Sequence, residues 1–298
     1  MSQNLNDRGR RVVMGIPLVW LMLLFLLPFL IVLKLSFSQE QLTIPPYAPF
    51  LLWVKGLPHP QFHFNNYTFL FTDPLYVSAY LYSLKVALVS TFFCLLLGYP
   101  MAYAIARAEG TGRSVLLMLV ILPFWTSFLL RVYAWIGLLK HNGVINNILM
   151  YLGLIHHPIT MLQTDFAVYV GIVYSYLPFM ILPLYSNLEK HDVALLEAAA
   201  DLGARPFTTF VRVTLPQSIA GIIAGSLLVF IPAVGEYVVP SLLGRTDQLM
   251  IGRVLSDEFF ENRDWPLASA VAILMLLLLV VPIMLFQHSG GRQIESHR

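Results

Sequence analysis

The sequence predicts an all-α protein embedded in a membrane, a class indicated by its composition, by six long apolar stretches and by the prolines within them. Of the 298 residues, 58% are hydrophobic and only 11% are charged, whereas soluble domains carry about 25% charged residues. A membrane-spanning helix needs about 20 mostly apolar residues, and prolines inside such helices are tolerated where neighbouring helices satisfy the freed backbone groups. The predicted spans lie at about 12–35, 84–106, 114–138, 166–188, 217–243 and 267–287.

The distribution of basic residues predicts the orientation of these spans. Arg8, Arg10 and Arg11 precede the first span and favour a cytoplasmic N-terminus. That span is longer than the apolar core of a cleaved signal peptide. With six spans, ten of the 18 Lys and Arg residues fall on the inner side, six on the outer side and two within spans. We therefore expect a transmembrane domain at 12–287 between cytoplasmic tails at 1–11 and 288–298.

Composition also excludes several functions. The net charge of +2 is too small to indicate a nucleic-acid partner, and the single cysteine, Cys94, allows no internal disulfide. The chain contains no G-x-x-x-x-G-K-[ST] phosphate-binding loop, so any nucleotide hydrolysis must come from another chain. The histidines lie in loops or tails, and the one adjacent pair, His156-His157, lacks a carboxylate or cysteine at ligand spacing, so we predict no metal site. No residues resemble a nucleophile with its base, so we predict no catalytic residue.

A charged segment at 190–216 interrupts the apolar pattern between the fourth and fifth spans. Leu195, Ala199 and Leu202 recur at helical spacing and share one face. Gly203 permits a chain reversal at the helix end, and Pro206 suits the first turn of a second helix. We therefore expect two short amphipathic helices, each too short to be stable alone in water.

Such helices need a surface to pack against. A helix lying on the membrane would carry mainly Lys or Arg on its polar face, whereas this segment first presents Glu197 and Asp201. Packing on the chain's own helices leaves the charges unexplained. Docking into a soluble partner protein fits the pattern best.

The residues of this segment resemble a known motif. The motif is Glu197-Ala198-Ala199, Gly203 after three intervening residues, and Val213-Thr214-Leu215-Pro216 after nine more. It resembles the E-A-A-x3-G-x9-I-x-L-P loop of ABC importer permeases, with Val in place of Ile. The resemblance implies a type I ABC importer permease fold and a loop that docks into an ATP-binding subunit. The residues expected to couple are Glu197, Ala198, Ala199, Asp201, Gly203, Arg205, Leu215 and Pro216.

Three further segments, at 122–135, 223–237 and 262–266, resemble the permeases of spermidine/putrescine importers, most closely the putrescine type. The resemblance implies a complex in the bacterial inner membrane with two ATP-binding subunits, a second homologous permease and a periplasmic polyamine-binding protein. It also implies that this chain is not an enzyme and holds no cofactor, because ATP and Mg are bound by the partner subunits. A permease for another amine or amino acid, and a secondary transporter acting alone, remain alternatives.

Two ionisable residues inside the predicted spans are candidates for the substrate pathway, because charges in a bilayer are costly. Arg131 and Glu236 each lie about eight residues, or roughly 12 Å, from the outer end of a span. One hypothesis places both in the same interior region, with Glu236 attracting a cationic substrate. The alternative is a structural Arg131–Glu236 ion pair.

Aromatic residues near these charges could hold ammonium groups over their ring faces. Trp125 is expected near the middle of its span and is a candidate gate residue, with packing as the alternative. Tyr133 and Tyr237 complete the candidate substrate pathway.

Overall fold

The computed structural model describes residues 13–49, 51–54 and 57–295. The predicted tail at 1–11, with Arg8, Arg10 and Arg11, lies outside the described residues. Contacts divide the chain into two compact units, one formed by Met1–Val77 with Leu255–Arg298 and the other by Ser78–Val254.

In the first unit, helix α1 (Val13–Ser36) packs against the long C-terminal helix. A π-helical turn at Met22–Leu26 widens α1 just before Pro28, because a proline ring collides with the carbonyl four residues earlier. Asn66 of the next helix donates its side-chain amide to the carbonyls of Ser36 and Ser38, at 3.0 and 2.9 Å. The elements of this unit are α1, strands β1 (Leu51–Val54) and β2 (Leu57–Pro60), α2 (Asn65–Thr72), and α13 (Trp265–Glu295).

The β-structure among the described residues is the short antiparallel hairpin β1–β2 and an isolated bridge between Glu40 and Tyr47. The hairpin lies between the first and second predicted spans, at 12–35 and 84–106.

The second unit contains most of the helical core. Helix α3 (Pro74–Arg107) enters it from the first unit, and α12 (Ile251–Ser256) leads out of it into a π-helical turn at Asp257–Glu261. Between them lie α4 (Gly110–Ile121), α5 (Phe128–Leu139), α6 (Val144–Tyr151), α7 (Asp165–Leu188), α8 (Val193–Asp201), α9 (Pro206–Gln217), α10 (Ile219–Val234) and α11 (Val238–Leu243).

Close packing of α7 against α10 forms the centre of this unit. Small residues of α10 face α7: a Cβ on Gly221 would lie 2.8 Å from Cβ of Asn187, and one on Gly225 would lie 3.1 Å from the Met180 carbonyl oxygen. Glycine therefore allows the two backbones to approach closely, as is common between membrane helices.

The predicted spans fall on these helices, but two of them are not continuous. Val13–Ser36, Pro74–Arg107 and Asp165–Leu188 are each long and apolar enough to cross a membrane, while Trp265–Val280 is a shorter apolar helix. The predicted span 114–138 is not one straight helix in the structure. Its two halves, Gly110–Trp125 and Phe128–Tyr151, meet at 90°.

The 90° bend in the predicted third span lies at a 3-10 turn, Leu122–Trp125. This turn contains Pro123 and is followed by extended Thr126. The predicted span 217–243 is likewise interrupted at 235–237, between α10 and α11. At the other end of the chain, α13 continues to Glu295, beyond the predicted span end at 287 and into the predicted C-terminal tail.

Candidate coupling segment and helix-break site

The segment from Asp192 to Ser218, here called the coupling segment, begins with a capped helix. The Asp192 carboxylate accepts a hydrogen bond from the backbone N–H of Ala194 at 2.9 Å, which fixes the start of α8. Asp192 is absent from the sequence-based site, although an Asp immediately before a helical pattern is a recognisable start signal.

The predicted chain reversal at Gly203 is confirmed. Gly203 has φ +78°, a conformation that glycine adopts without the Cβ penalty. Its N–H donates to the Ala200 carbonyl at 2.8 Å, and the N–H of Ala204 donates to the Ala199 carbonyl at 3.0 Å. These two bonds form the Schellman motif that ends many helices.

Helix α9 has Pro206 in its first turn, as predicted. It then widens into a π-helical turn at Phe210–Thr214, closed by the bond from Leu215 N–H to the Phe210 carbonyl. Pro216 explains the widening, since it has no N–H and its ring would collide with the carbonyl of Arg212. Leu215 and Pro216 therefore shape the far end of the segment.

The outer face of the coupling segment is uncovered. Helix α8 has no buried residue, and Leu202 and Phe207 are 89% and 77% exposed. The charged residues of the segment form no ion pair with any residue the structure describes; they are Asp192, Glu197, Asp201, Arg205 and Arg212. Exposed apolar and charged side chains therefore lie side by side on this face.

An ion pair fixes the start of this segment to the neighbouring turn. Nη1 of Arg113 lies 2.6 Å from Oε1 of Glu189, and Nε of Arg113 donates to the Ala108 carbonyl at 2.9 Å. The turn between α3 and α4 is thereby tied to the end of α7. Sequence reasoning does not identify this pair, because its members are 76 residues apart.

Glu236 lies in the break between α10 and α11 and is only 6% exposed. Its Oε1 accepts hydrogen bonds from the N–H groups of Val238 and Val239 at 3.0 and 3.3 Å, so the carboxylate caps the first turn of α11. Its Oε2 accepts a hydrogen bond from the Tyr176 hydroxyl. Tyr176 carries no sequence signal, because one tyrosine in an apolar helix is unremarkable.

Arg131 does not pair with Glu236. Its guanidinium carbon lies 5.4 Å from the ring centre of Phe124 and 5.7 Å from that of Phe128. Its Nε and Nη1 atoms are buried without a hydrogen-bond acceptor among the described residues. The alternative of a structural Arg131–Glu236 ion pair is therefore absent from the described part of the chain.

The three candidate aromatic residues are all exposed in the single chain. Trp125 is 76% exposed, Tyr133 55% and Tyr237 44%. Tyr237 adjoins Glu236 in the helix break, and Trp125 ends the 3-10 turn that breaks the predicted third span. Their rings are thus free to contact a ligand or another subunit.

The interrupted apolar helices and the uncovered coupling segment fit a membrane transport subunit of the ABC importer permease class. A family profile described as "Binding-protein-dependent transport system inner membrane component" matches residues 94–290, and the chain belongs to this family. Permeases of this family are transport components of the inner membrane that work with ATP-binding subunits and a periplasmic binding protein.

Relatives cover nearly the whole chain. It is 40% identical over 294 residues to the spermidine/putrescine transport system permease protein PotB of Haemophilus influenzae, covering 98% of each chain. It is 41% identical over 267 residues to PotB of Escherichia coli, covering 90% of this chain and 92% of the relative. A bacterial alginate ABC transporter, solved with an alginate-bound periplasmic protein, has the same fold at 20% identity, with a TM-score of 0.67 and coverage of 99% and 98%.

Proposed function

We propose that this chain forms the translocation pathway for polyamines, putrescine or spermidine, in an ATP-driven importer of the bacterial inner membrane. It works with two ATP-binding subunits, which bind ATP and Mg, and with a second homologous permease. A periplasmic polyamine-binding protein delivers the substrate, and both termini of this chain are cytoplasmic.

The observation that carries the coupling role is the uncovered face of the coupling segment. Its two helices are held in a fixed bend by the Schellman motif at Gly203, while their outer side chains have nothing to pack against in this chain. A cleft in the ATP-binding subunit would cover Leu202 and Phe207 and meet the charges of Glu197, Asp201 and Arg205. Movement of that subunit would then displace the ends of α7 and α10, between which the segment lies.

The polyamine assignment has two supports. The PotB relatives are named for spermidine and putrescine, and Glu236 is a buried carboxylate without a cationic partner among the described residues. A buried unpaired charge is costly, so a passing ammonium group is attracted to it. The rings of Trp125, Tyr133 and Tyr237 supply further cation-binding faces.

Arg131 contributes the opposite charge to this region. Its guanidinium is held against the rings of Phe124 and Phe128, so it repels ammonium groups locally and limits where they can rest. The proposed substrate pathway comprises Trp125, Arg131, Tyr133, Glu236 and Tyr237.

The test is radiolabelled putrescine and spermidine uptake in cells lacking this chain, restored by the wild-type gene or by variants. Glu197→Lys should abolish uptake and the co-purification of the ATP-binding subunit. Glu261→Lys, the same change on another exposed position, serves as the control and should leave both intact. Full uptake by Glu197→Lys would refute the coupling role, and competition by other amines or amino acids would identify a different substrate.

The orientation can be tested with a single cysteine label. The native Cys94 is the only cysteine and is 0% exposed, so a Leu202→Cys variant, expressed without the ATP-binding subunit that would cover this position, carries one reactive thiol. An impermeant maleimide should label it in inverted membrane vesicles but not in intact spheroplasts. Labelling in spheroplasts would overturn the proposed orientation.

A further inference from the structure

The coupling segment meets helix α10 at a sharp bend that is buried. The helices Pro206–Gln217 and Ile219–Val234 meet at 65°, and Ser218 between them is 0% exposed. The Ser218 hydroxyl donates back to the Leu215 carbonyl at 2.9 Å. Its oxygen also lies 2.9 Å from the Tyr99 hydroxyl of α3. Because Ser218 has a single hydroxyl proton, Tyr99 is the donor in this second bond.

The Tyr99 ring also contacts the other end of the same stretch. Its edge meets the ring of Phe210 at 5.5 Å between centroids and an interplanar angle of 90°, a favourable aromatic geometry. Phe210 begins the π-helical turn that ends at Thr214. One side chain of α3 therefore contacts the stretch from Phe210 to Ser218 at both of its ends.

This stretch departs from regular α-helical hydrogen bonding. Its hydrogen bonds follow the π pattern, which is rare and marginal outside single turns, and Pro216 removes one further backbone donor. A cleft of about 430 Å³, lined in part by Tyr103, Phe210, Leu215 and Ile222, lies beside it and leaves room for movement. Without an anchor, a displacement of α8 would bend this stretch and would not reach the spans.

We propose that Tyr99 is a positioning residue for energy coupling: it clamps Phe210 and Ser218 to α3, so that the coupling segment moves with that 34-residue helix. This inference rests on the proposed coupling function. Without this contact ATP hydrolysis still occurs, but part of each movement of the ATP-binding subunit bends the stretch from Phe210 to Ser218 and does not reach the spans.

The experiment uses the full complex, with both permeases, the ATP-binding subunits and the binding protein, in proteoliposomes. The quantity measured is ATP hydrolysed per putrescine delivered. Tyr99→Phe keeps the ring contact with Phe210 and removes the hydrogen bond, and Ser218→Ala removes the acceptor. We expect each to raise the ratio about fivefold, the factor that corresponds to one buried hydrogen bond.

The double variant Tyr99→Phe/Ser218→Ala should show the same ratio as Ser218→Ala, because the Tyr99–Ser218 bond is already lost in that single variant, together with the Ser218 bond to the Leu215 carbonyl. The control is Tyr103→Phe, the same change one turn further along α3, where the hydroxyl makes no hydrogen bond within the described residues. Its ratio should equal the wild-type value.

An unchanged ratio in Tyr99→Phe, in complexes recovered at wild-type yield, would overturn the inference. A parallel fall in transport and hydrolysis would also overturn it, since that result indicates a purely structural role. If the increases in the ratio caused by the two single variants add up in the double variant, Tyr99 and Ser218 act independently. That result would also overturn the inference. If the wild-type complex shows no ATP-dependent putrescine transport, the proposed function fails instead.

Discussion

The hydroxyl of Tyr176 on α7 donates a hydrogen bond to the carboxylate of Glu236, in the break between α10 and α11. The other carboxylate oxygen accepts from the N–H groups of Val238 and Val239. Glu236 thus has two roles that can be separated by mutation. It caps α11 through its Oε1 atom, and it places a negative charge inside the membrane domain.

The first prediction separates these roles with Glu236→Gln. Glutamine keeps an oxygen that accepts from Val238 and Val239, so the complex should assemble in normal amounts. Loss of the charge should raise the Km for putrescine uptake about tenfold or more, equivalent to about 1.4 kcal/mol. The measurement is the initial uptake rate as a function of putrescine concentration.

Tyr176→Phe is the matched control, because it removes one donor and leaves the charge in place. Its Km should rise much less than that of Glu236→Gln. Equal effects of the two substitutions would mean that the hydrogen bond matters and the charge does not. Wild-type uptake by Glu236→Gln would remove Glu236 from the substrate pathway.

The second prediction concerns Trp125, which is 76% exposed in the single chain. Because its side chain makes little internal packing, Trp125→Ala should lower putrescine transport or raise basal leak while expression stays near the wild-type level. Trp20→Ala, which removes a similarly exposed tryptophan from α1 (64% exposed), should change neither. A matching loss of expression and transport in Trp125→Ala would show that Trp125 only packs.

The sequence predicts the coupling segment well because its signals are local. Gly203 and Pro206 each act within one turn of the chain, and both lie in the structure as expected. The break after Trp125 is different. Apolar residues continue on both sides of Pro123, so hydropathy gives no indication that the third span bends by 90°.

Contacts between distant residues are the other part that sequence reasoning misses. Tyr176 and Glu236 are 60 residues apart, and Tyr99 and Ser218 are 119 apart. In the sequence, nothing distinguishes either tyrosine from the other aromatic residues near it. Their roles depend on which helices pack together, and a single sequence does not contain that information.

The third prediction tests the chain reversal at Gly203. A Cβ there meets no atom within 4 Å, so the cost of Gly203→Ala comes from the positive φ and amounts to about 1 kcal/mol. The strain should also change the angle between α8 and α9. We expect putrescine transport to fall several-fold at a given rate of ATP hydrolysis, measured in proteoliposomes.

Gly153 provides a close control for this substitution. It also has a positive φ, +69°, with open space around a Cβ and the same pair of hydrogen bonds, from Gly153 to Met150 and from Leu154 to Leu149. Gly153→Ala should lower the apparent Tm by a similar amount and leave coupling unchanged. If it impairs coupling equally, general destabilisation explains both.

The fourth prediction concerns Gly252, which packs against the helix break. A Cβ on Gly252 would lie 2.4 Å from the carbonyl oxygen of Gly235 and 2.8 Å from that of Glu236. Both atoms belong to the main chain and have little freedom to move. Gly252→Ala should therefore cost about 2 kcal/mol or more and lower the apparent Tm of the purified complex by several degrees.

Gly137→Ala is the corresponding control within a helix. A Cβ at Gly137 meets no atom within 4 Å, and alanine is the better helix former by up to about 1 kcal/mol. Its apparent Tm should be equal to or above the wild-type value. A Gly252→Ala variant as stable as this control would show that the backbone at the break is more adaptable than the structure indicates.

The last prediction is a pH dependence at Asp264, just before α13. Its carboxylate accepts from the N–H of Leu267 at 2.9 Å and caps that helix. Burial raises the pKa of Asp264; the Leu267 bond opposes this shift, and the nearby charges of Glu40 and Glu258 add to it. Since the charged form is disfavoured in the folded state, stability from this group is fully present below the ordinary Asp pKa of about 3.9. It is lost as pH rises through the raised pKa.

Asp264→Asn keeps an oxygen acceptor for Leu267 and removes the charge, so its apparent Tm at pH 7 should exceed that of the wild type. The gain should shrink as pH falls toward 4, where the wild-type carboxyl becomes protonated. Asp192→Asn, an exposed cap on α8, is the control and should shift the Tm little at either pH. A lower Tm for Asp264→Asn at pH 7 would contradict this prediction. It would mean that the charge of Asp264 stabilises the start of α13 by more free energy than is lost through its burial and its repulsion by neighbouring carboxylates.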